Sequence, residues 1–236
     1  MDSLSLIPIH GIPEVREGDV LASFIADAAD AQDTSLLHGD CLVVTQKVVS
    51  KAEGRVVAID PDDRQARRRL VESESVRVLR RRGDSLIVET KHGFVCAAAG
   101  VDISNIDKGY AALLPVDGDK SAKRIRDGLR ATRGVEVGVV ISDTFGRAWR
   151  RGQTDVAIGV SGIAAMLDLR GSTDMQGREL LVTEIAIADE IAGAAELVMG
   201  KSAGVPVAIV RGLDPAWFHE SSVRELIRDP ADDMFR

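Results

Sequence analysis

Short apolar runs alternate with amphipathic segments along the whole chain, and this alternation constrains the fold more than any other feature of the sequence. Apolar clusters of a few residues predict strands, and apolar residues that recur with a period of about 3.6 predict helices. The predicted strands are 4–9, 41–45, 55–59, 85–90, 93–98, 135–142, 154–160 and 205–210. Helices are predicted from a cap at Asp19, from Asp62 or Asp63 to about Arg82, over 121–132 and over 185–199.

A short connection discriminates between fold classes. Only Lys91 and His92 separate the strands 85–90 and 93–98, so these strands form an antiparallel hairpin. The hairpin favours an α+β fold with mixed or antiparallel sheets over a purely parallel, doubly wound one. The 236 residues contain no low-complexity linker, so we expect one unit, 1–236, in which any two subdomains are joined without a flexible tether.

Composition limits the partners of the chain. Hydrophobic residues make up 45% and aromatic residues only 3%, and 30 Lys and Arg against 37 Asp and Glu give a net charge of −7. An acidic chain is a poor match for bulk nucleic acid or an anionic membrane. Cys41 and Cys96 lie in apolar runs, as buried free thiols of a reducing compartment do. With no signal-peptide pattern and no transmembrane-length run, we expect a cytoplasmic protein.

Common catalytic motifs are absent from the sequence. The tripeptide Gly200-Lys201-Ser202 matches the end of a P-loop, but Ala195 replaces the required glycine and the surrounding pattern is that of a helix end. No dinucleotide-binding glycine fingerprint, paired metal-binding histidines or serine-nucleophile elbow occurs. The eight arginines of the predicted helix 62–82 fit either an anion-binding face or, as is more usual, a solvated face paired with nearby carboxylates.

Two polar segments that follow apolar strands carry candidate chemistry. The first, 45–55, contains Lys47 and Lys51, which can reach one anion if the segment is helical. A surface lysine pair is the alternative. The second, 100–105, contains Asp102 and is either a functional acidic turn or a simple Asx turn.

The third polar segment, 142–155, is the densest. Asp143 and Thr144 end an apolar strand, and their hard oxygen atoms suit Mg²⁺ or Mn²⁺. The guanidinium groups of Arg147 and Arg150 suit phosphate or carboxylate. A polar loop without function is the alternative. Together the three segments predict a metal-assisted site for phosphoryl transfer between anionic partners.

The blocks 43–55, 97–105 and 142–155 resemble, in order and spacing, the signature blocks of the coenzyme F-420:L-glutamate ligase family. The similarity extends to 6–13 and 205–213. This resemblance implies an α+β fold with two interleaved subdomains and an intertwined homodimer. The resemblance is to stand-alone ligases of the family, which do not have the carboxy-terminal nitroreductase-like domain of actinobacterial relatives.

The resemblance also implies an activity. Members of this family are GTP-dependent acid–amino-acid ligases that add L-glutamate to the F-420 precursor, and then γ-linked glutamates to the growing tail, through an acyl phosphate. The implied cofactors are Mg²⁺ or Mn²⁺, two per site, and a monovalent cation such as K⁺. The alternatives are a related metal- and nucleotide-dependent amide ligase for another carboxylate, and a non-catalytic nucleotide-binding protein.

The family's site positions are carried over residue by residue. The implied metal site comprises Asp102, Asp143 and Thr144. The implied nucleotide contacts are Ile12, Pro13, Glu14, Val15, Gln46, Lys51 and Asn105. We infer that the cations acting on phosphate or glutamate are Arg147, Arg150 and Lys47. Lys201 stands where archaeal relatives often carry Gln near a second metal, so the predicted metal set leaves it out.

Overall fold

The computed structural model describes residues 3–60, 62–104 and 106–235. Its strands are β1 (Ser5–Ile9), β2 (Cys41–Thr45), β3 (Val56–Ala58), β4 (Ser75–Arg82), β5 (Ser85–Thr90), β6 (Val95–Ala97), β7 (Tyr110–Ala112), β8 (Gly138–Gly146), β9 (Gln153–Ser161), β10 (Leu167–Asp168), β11 (Glu184–Ile185) and β12 (Val207–Arg211). Its helices are α1 (Leu21–Ala31), α2 (Gln46–Ala52), α3 (Arg64–Ser73), α4 (Gly118–Arg133) and α5 (Ile187–Met199). Helices combined with mixed and antiparallel sheets confirm the predicted α+β class.

The largest sheet has five strands in the order β1-β12-β2-β8-β9. Only β2 and β8 are parallel neighbours, and the other pairs are antiparallel. On one face Ile141 packs with Ile25 of α1 and Leu129 of α4. On the other face Val140 packs with Ile191 of α5. Aliphatic burial on both faces accounts for the apolar character of β2 and β8 in the sequence.

The parallel pair β2 and β8 positions the candidate site. Thr45, the last residue of β2, pairs with Ser142 of β8. Because the two strands run in the same direction, the residues after Thr45 and Ser142 emerge at one edge of the sheet. Gln46 begins α2 there, and Asp143 follows Ser142 within β8.

The remaining strands form smaller antiparallel sheets, ordered β4-β5-β6, β3-β7 and β10-β11. The predicted hairpin is confirmed, since β5 pairs antiparallel to β6. Val88 of β5 and Leu113 belong to a third hydrophobic cluster, which also includes residues of β3, β7 and α3. The division of the chain into two interleaved subdomains stays a prediction.

The predicted helix to Arg82 is wrong over its second half. Helix α3 ends at Ser73, and residues 75–82 form β4, which pairs with β5. Two register shifts along β4 interrupt the period of two that would have marked a strand. The solvated reading of the arginines is confirmed by surface ion pairs, such as Arg68 with Glu72 at 3.0 Å.

Other predictions needed smaller corrections. Asp19 is not a helix cap, because α1 begins at Leu21 after Val20 and the Asp19 carboxylate instead accepts the Arg16 N–H at 2.7 Å. Strand β8 runs to Gly146 rather than ending at residue 142, because β9 pairs with it from Val139 to Gly146. Both cysteines are buried and free. No helix in the described ranges is long and apolar enough to cross a membrane.

Candidate functional site

Gln46 lies at the start of α2, at the edge where β2 ends. Its side chain is buried, and its Oε1 accepts the Ser50 hydroxyl at 2.8 Å. Its Nε2 is also buried but has no hydrogen-bond partner among the described residues. Buried amide donors are normally satisfied, so this donor is suited to a bound ligand.

The two lysines of α2 bind separate carboxylates. Lys47 Nζ lies 2.9 Å from Asp102 Oδ2 and donates to Ser104 Oγ at 3.0 Å. Lys51 forms an ion pair with Glu14, another predicted nucleotide contact. The segment is helical as required for a shared anion, but each ammonium group already has its own partner.

The other predicted nucleotide contacts lie around the same edge with different exposure. Pro13 is exposed, Ile12 is half-buried against the core, and Val15 is buried within it. Val15 therefore contributes its backbone rather than its side chain to any ligand contact. Asn105 lies outside the described residues.

A turn with left-handed backbone angles, formed by residues 98–100, lies just before Asp102. Ala98, Ala99 and Gly100 all have positive φ angles, of 53°, 56° and 69°. Two successive alanines in this region are strained, and such strain is common at functional sites. The turn leads into a backbone bridge in which Asp102 and Ala112 exchange hydrogen bonds of 3.0 and 2.8 Å.

Asp102 is held in its ionised form. The Ser104 N–H donates to its Oδ1 at 2.7 Å, which is the Asx turn that the sequence allowed. Burial alone would raise the pKa of Asp102, but this N–H and the Lys47 ammonium outweigh it and lower the pKa below its usual value. Asp102 therefore forms the Asx turn and the ion pair with Lys47 at the same time, so the turn is compatible with a functional role for Asp102.

Asp143 has the opposite electrostatic situation. It lies on the same face of β8 as Ile141 and Phe145, because side chains alternate along a strand. Loss of water contact raises its pKa to about 7, and the negative charges of Asp102 and Asp155 add to that effect. A carboxylate in such surroundings is stabilised in its ionised form by any added cation.

The side chain of Thr144 lies on the opposite face of β8 from that of Asp143, because side chains alternate along a strand. Two members of the predicted metal set are therefore on different faces of the sheet. The Thr144 hydroxyl donates to Asp155 Oδ1 at 2.6 Å, and Ser142 Oγ donates to Asp155 Oδ2 at 3.0 Å. Lys201, just after α5, hydrogen-bonds Thr144 and lies 3.0 Å from both Asp155 Oδ1 and Glu196 Oε1. Asp155 is only 4% exposed, so these contacts form a built polar cluster.

Sequence reasoning missed Asp155 as a site residue and left out Lys201. The signal for Asp155 was present in the hairpin geometry. Gly146 pairs with Gln153, which places Thr144 directly opposite Asp155. Recognising that β8 and β9 form one hairpin would have put Asp155 on the face of Thr144. Lys201 had no such local signal, because only tertiary packing brings the end of α5 to β9.

A bulge in β9 precedes this cluster. The register shifts between Ile141 and Ser142, so Ile158 is an extra residue in β9. The nearby Ala157 N–H donates to Asp189 Oδ1 of α5 at 2.8 Å. Partial burial raises the pKa of Asp189 despite this hydrogen bond. Asp189 thus ties α5 to the strand that carries Asp155.

Arg147 and Arg150, the arginines predicted to act on phosphate or glutamate, lie in the loop 147–152 between β8 and β9. Arg147 donates to the Arg151 carbonyl at 2.7 Å, so part of its hydrogen-bonding capacity orders the loop itself. Arg150 and Arg151 are exposed. The structure therefore places three cationic groups within one loop beyond the carboxylates of β8 and β9.

The donor set fits a divalent metal ion in its chemistry. Asp102, Asp143 and Thr144 offer the hard oxygen atoms that Mg²⁺ and Mn²⁺ prefer, and Asp143 lies among like charges that a cation would offset. In the parts of the chain that the structure describes, no three His, Cys, Asp or Glu side chains converge on one metal position. A metal bound here would therefore complete its coordination with substrate oxygen atoms or water.

Comparison with known proteins gives consistent matches. The profile of a family described as F420-0:Gamma-glutamyl ligase matches residues 11–212. The chain is 41% identical to a coenzyme F420:L-glutamate ligase of Methanothermobacter thermautotrophicus, over 99% of each chain. It is 41% identical to the Methanopyrus kandleri protein of that name over 100% of each chain, and 39% identical to the Archaeoglobus fulgidus one over 99% of this chain and 96% of the relative.

Proposed function

Because the chain belongs to the F420-0:Gamma-glutamyl ligase family, whose members are ligases, we propose that it uses GTP to attach L-glutamate to the F-420 precursor. Further γ-linked glutamates are then added to the growing tail. The observation that supports this proposal most directly is that carboxylates and cationic side chains lie together at the edge of the sheet where β2 ends and β8 continues. The ligase relatives match this chain almost from end to end.

The proposed chemistry has two steps. A carboxylate oxygen of the precursor attacks the γ-phosphorus of GTP, which forms an acyl phosphate and releases GDP. The amine of L-glutamate then attacks the carbonyl carbon, phosphate leaves, and the amine loses a proton as the amide forms. Phosphorylation is needed because an unmodified carboxylate oxygen is a poor leaving group at neutral pH, whereas phosphate is a good one.

In this proposal, Asp102 and Asp143 would hold a divalent metal ion, which would supply charge stabilisation to the transferring phosphoryl group. Thr144, on the other face of β8 and beside Asp155, would serve a further metal position. Lys47 and Lys51 lie beside the carboxylates of Asp102 and Glu14 and provide positive charge near the nucleotide. Positioning and charge stabilisation account for most of the catalysis in phosphoryl transfer, so these fixed groups suit the step.

We further propose that the enzyme is a homodimer, as the family resemblance implies. The connection between β10 and β11 carries exposed apolar side chains at Met175, Leu181 and Val182. Exposed apolar groups of this kind are typical of surfaces that bind another chain. A second copy of this chain is the partner that the proposal assigns to it.

Isotope transfer tests the acyl-phosphate step. The precursor carboxylate is labelled with heavy oxygen and incubated with GTP, Mg²⁺ and L-glutamate, and the released phosphate is analysed by mass spectrometry. We expect one labelled oxygen in each phosphate released with the first glutamate, because the labelled carboxylate oxygen leaves with it; later additions activate an unlabelled glutamate carboxylate. Unlabelled phosphate accompanying a product with a single added glutamyl unit would contradict the acyl-phosphate route, and no product at all would contradict the ligase function.

A further inference from the structure

Trp149 lies in the loop 147–152 and is 88% exposed. The strands β8 and β9 stay paired up to Gly146 and Gln153. Strands rise about 3.3 Å per residue, so the loop starts about 7 Å beyond the Thr144 and Asp155 pair. The indole ring is therefore attached to the end of the hairpin that carries the candidate site.

The backbone of Trp149 is strained in a way that its packing does not explain. Its φ angle is 64°, in the left-handed region that large side chains rarely adopt. Its ring takes part in none of the hydrophobic clusters or ring contacts of the described residues. In a chain with only 3% aromatic residues, an exposed tryptophan held in this conformation calls for a ligand-based reason.

The loop around Trp149 is bridged by a hydrogen bond of its own and is cationic. The Arg147 guanidinium donates to the Arg151 carbonyl across the loop, and Gly152, at a φ of 88°, closes it. Arg150 and Arg151 are both exposed within the loop. A flat indole beside exposed guanidinium groups is suited to a planar heteroaromatic ring that carries phosphate.

We propose that Trp149 stacks on the planar ring of a phosphate-bearing substrate, with Arg150 and Arg151 contacting its phosphate. This inference rests on the proposed function, which supplies two substrates of that chemistry, GTP and the F-420 precursor. Trp149 then sets specificity by recognising a ring rather than by taking part in bond formation.

Fluorescence of Trp149 gives the direct test. Trp217→Phe leaves Trp149 as the only tryptophan in the chain, since the sequence has two. This variant is titrated separately with GDP and with the F-420 precursor, after correction for absorption by the ligand. We expect at least twofold quenching by one of them, and the ligand that quenches identifies the stacked substrate. In Trp149→Phe, which retains only Trp217, the same ligand should cause no comparable change.

Kinetics test the same contact independently. Removal of a stacked ring should raise the KM of that one substrate about tenfold, with little change in kcat. Trp149→Phe keeps a flat ring and should stay within about threefold of the parent. Trp149→Ala and Trp149→Gly both lose the ring, and the glycine also removes the left-handed strain, so equal KM increases in the two would assign the effect to the ring.

Three results would overturn the inference. They are no quenching by either ligand, unchanged KM values in Trp149→Ala, or a change of oligomeric state in that variant, which would place the ring in a subunit interface. Failure of the proposed function looks different. Quenching without any glutamylated product would support the ring contact and contradict the proposed ligase activity. Normal turnover without quenching would contradict only the proposed ring contact.

Discussion

At the scale of single residues, two carboxylates of the candidate site have pKa values shifted in opposite directions. Asp102 has a lowered pKa beside Lys47, whereas Asp143 has a pKa raised to about 7 among like charges. The first carboxylate is stabilised within the chain itself, and the second is the one whose ionised form most needs an external cation. Asp143 is therefore the residue at which loss of charge should matter most.

Asp143→Asn should lower turnover by at least about a hundredfold, because it removes charge from the proposed metal site while keeping the size of the side chain. The product is measured by mass spectrometry, and the fold by circular dichroism. Asp127→Asn is a matched control, since Asp127 forms a surface ion pair with Lys123. Turnover of Asp143→Asn within a few-fold of the parent would remove Asp143 from the metal role.

Asp189 offers a pH-dependent prediction away from the proposed metal ligands. Because its pKa is raised in the folded protein, the folded state keeps a proton that the unfolded state loses above a pH of about 4. The free energy of unfolding should therefore fall as pH rises from about 4 through the raised pKa, by at most about 1.4 kcal/mol per pH unit for this group.

Two substitutions separate the charge of Asp189 from its hydrogen bond. Asp189→Asn can still accept the Ala157 N–H but cannot ionise, so its stability relative to the parent should increase between pH 4 and pH 8. Asp189→Ala loses the acceptor and should be less stable at every pH, by about 1–3 kcal/mol. Thermal unfolding across this range measures both, and parallel pH profiles for parent and Asp189→Asn would refute the assignment.

At the scale of elements, the position of α4 against β9 depends on two glycines in backbone contact. A Cβ on Gly159 would lie 2.2 Å from the Gly118 carbonyl carbon, and a Cβ on Gly118 would lie 2.0 Å from the Ile158 carbonyl oxygen. Backbone atoms cannot rotate away as a side chain can. The helix and the strand therefore meet this closely only because both positions lack a side chain.

Gly159→Ala should lower the free energy of unfolding by at least about 2 kcal/mol, since the added methyl group would have to displace the backbone of α4. Gly193→Ala in α5 provides the comparison, because its nearest new contact would be Thr154 Oγ1 at an ordinary 3.5 Å. That helical alanine should raise stability by about 0.5–1 kcal/mol. Denaturant unfolding distinguishes these opposite signs, and equal effects would argue against the close approach.

The elements differ in how far the sequence determines them. Strands β2 and β5 were predicted to the residue, because they are short apolar runs with clear ends. The sequence predicts a helix where β4 lies, because Val78 and Leu79 fall at a spacing that fits a helix. The register shifts of β4 remove the regular alternation that would have indicated a strand. Likewise, Asp102 and Asp143 could be found from local blocks, whereas the contact between Lys201 and Asp155 arises only from tertiary packing.

At the scale of the whole molecule, a net charge of −7 opposes the approach of the anionic substrates that we propose. Lys47 and Lys51 on α2 lie at the β2 and β8 edge, and the arginines of loop 147–152 extend from the adjoining hairpin. This local concentration of positive charge can reverse the field near the site. The same distribution disfavours bulk polyanions, which would also contact the acidic remainder of the surface.

The proposed homodimer is tested by the mass of the particle in solution. Sedimentation of the parent should give twice the mass of one chain. Replacing both Leu181 and Val182 by Glu should yield monomers, because charge would be buried in the proposed interface. Val76→Glu, at a 65% exposed position on β4, should leave the dimer intact. A monomeric parent, or dimers that tolerate the double substitution, would refute this interface.

The most direct measurement of the central claim is the mass-resolved set of products formed by the purified protein with L-glutamate, Mg²⁺ or Mn²⁺ and the F-420 precursor. Parallel reactions contain GTP, ATP or no nucleotide. With GTP we expect products heavier by one glutamyl unit and then by further units, each accompanied by one GDP and one phosphate. Consumption of GTP without glutamylated precursor, or no reaction with any nucleotide, would contradict the proposed function.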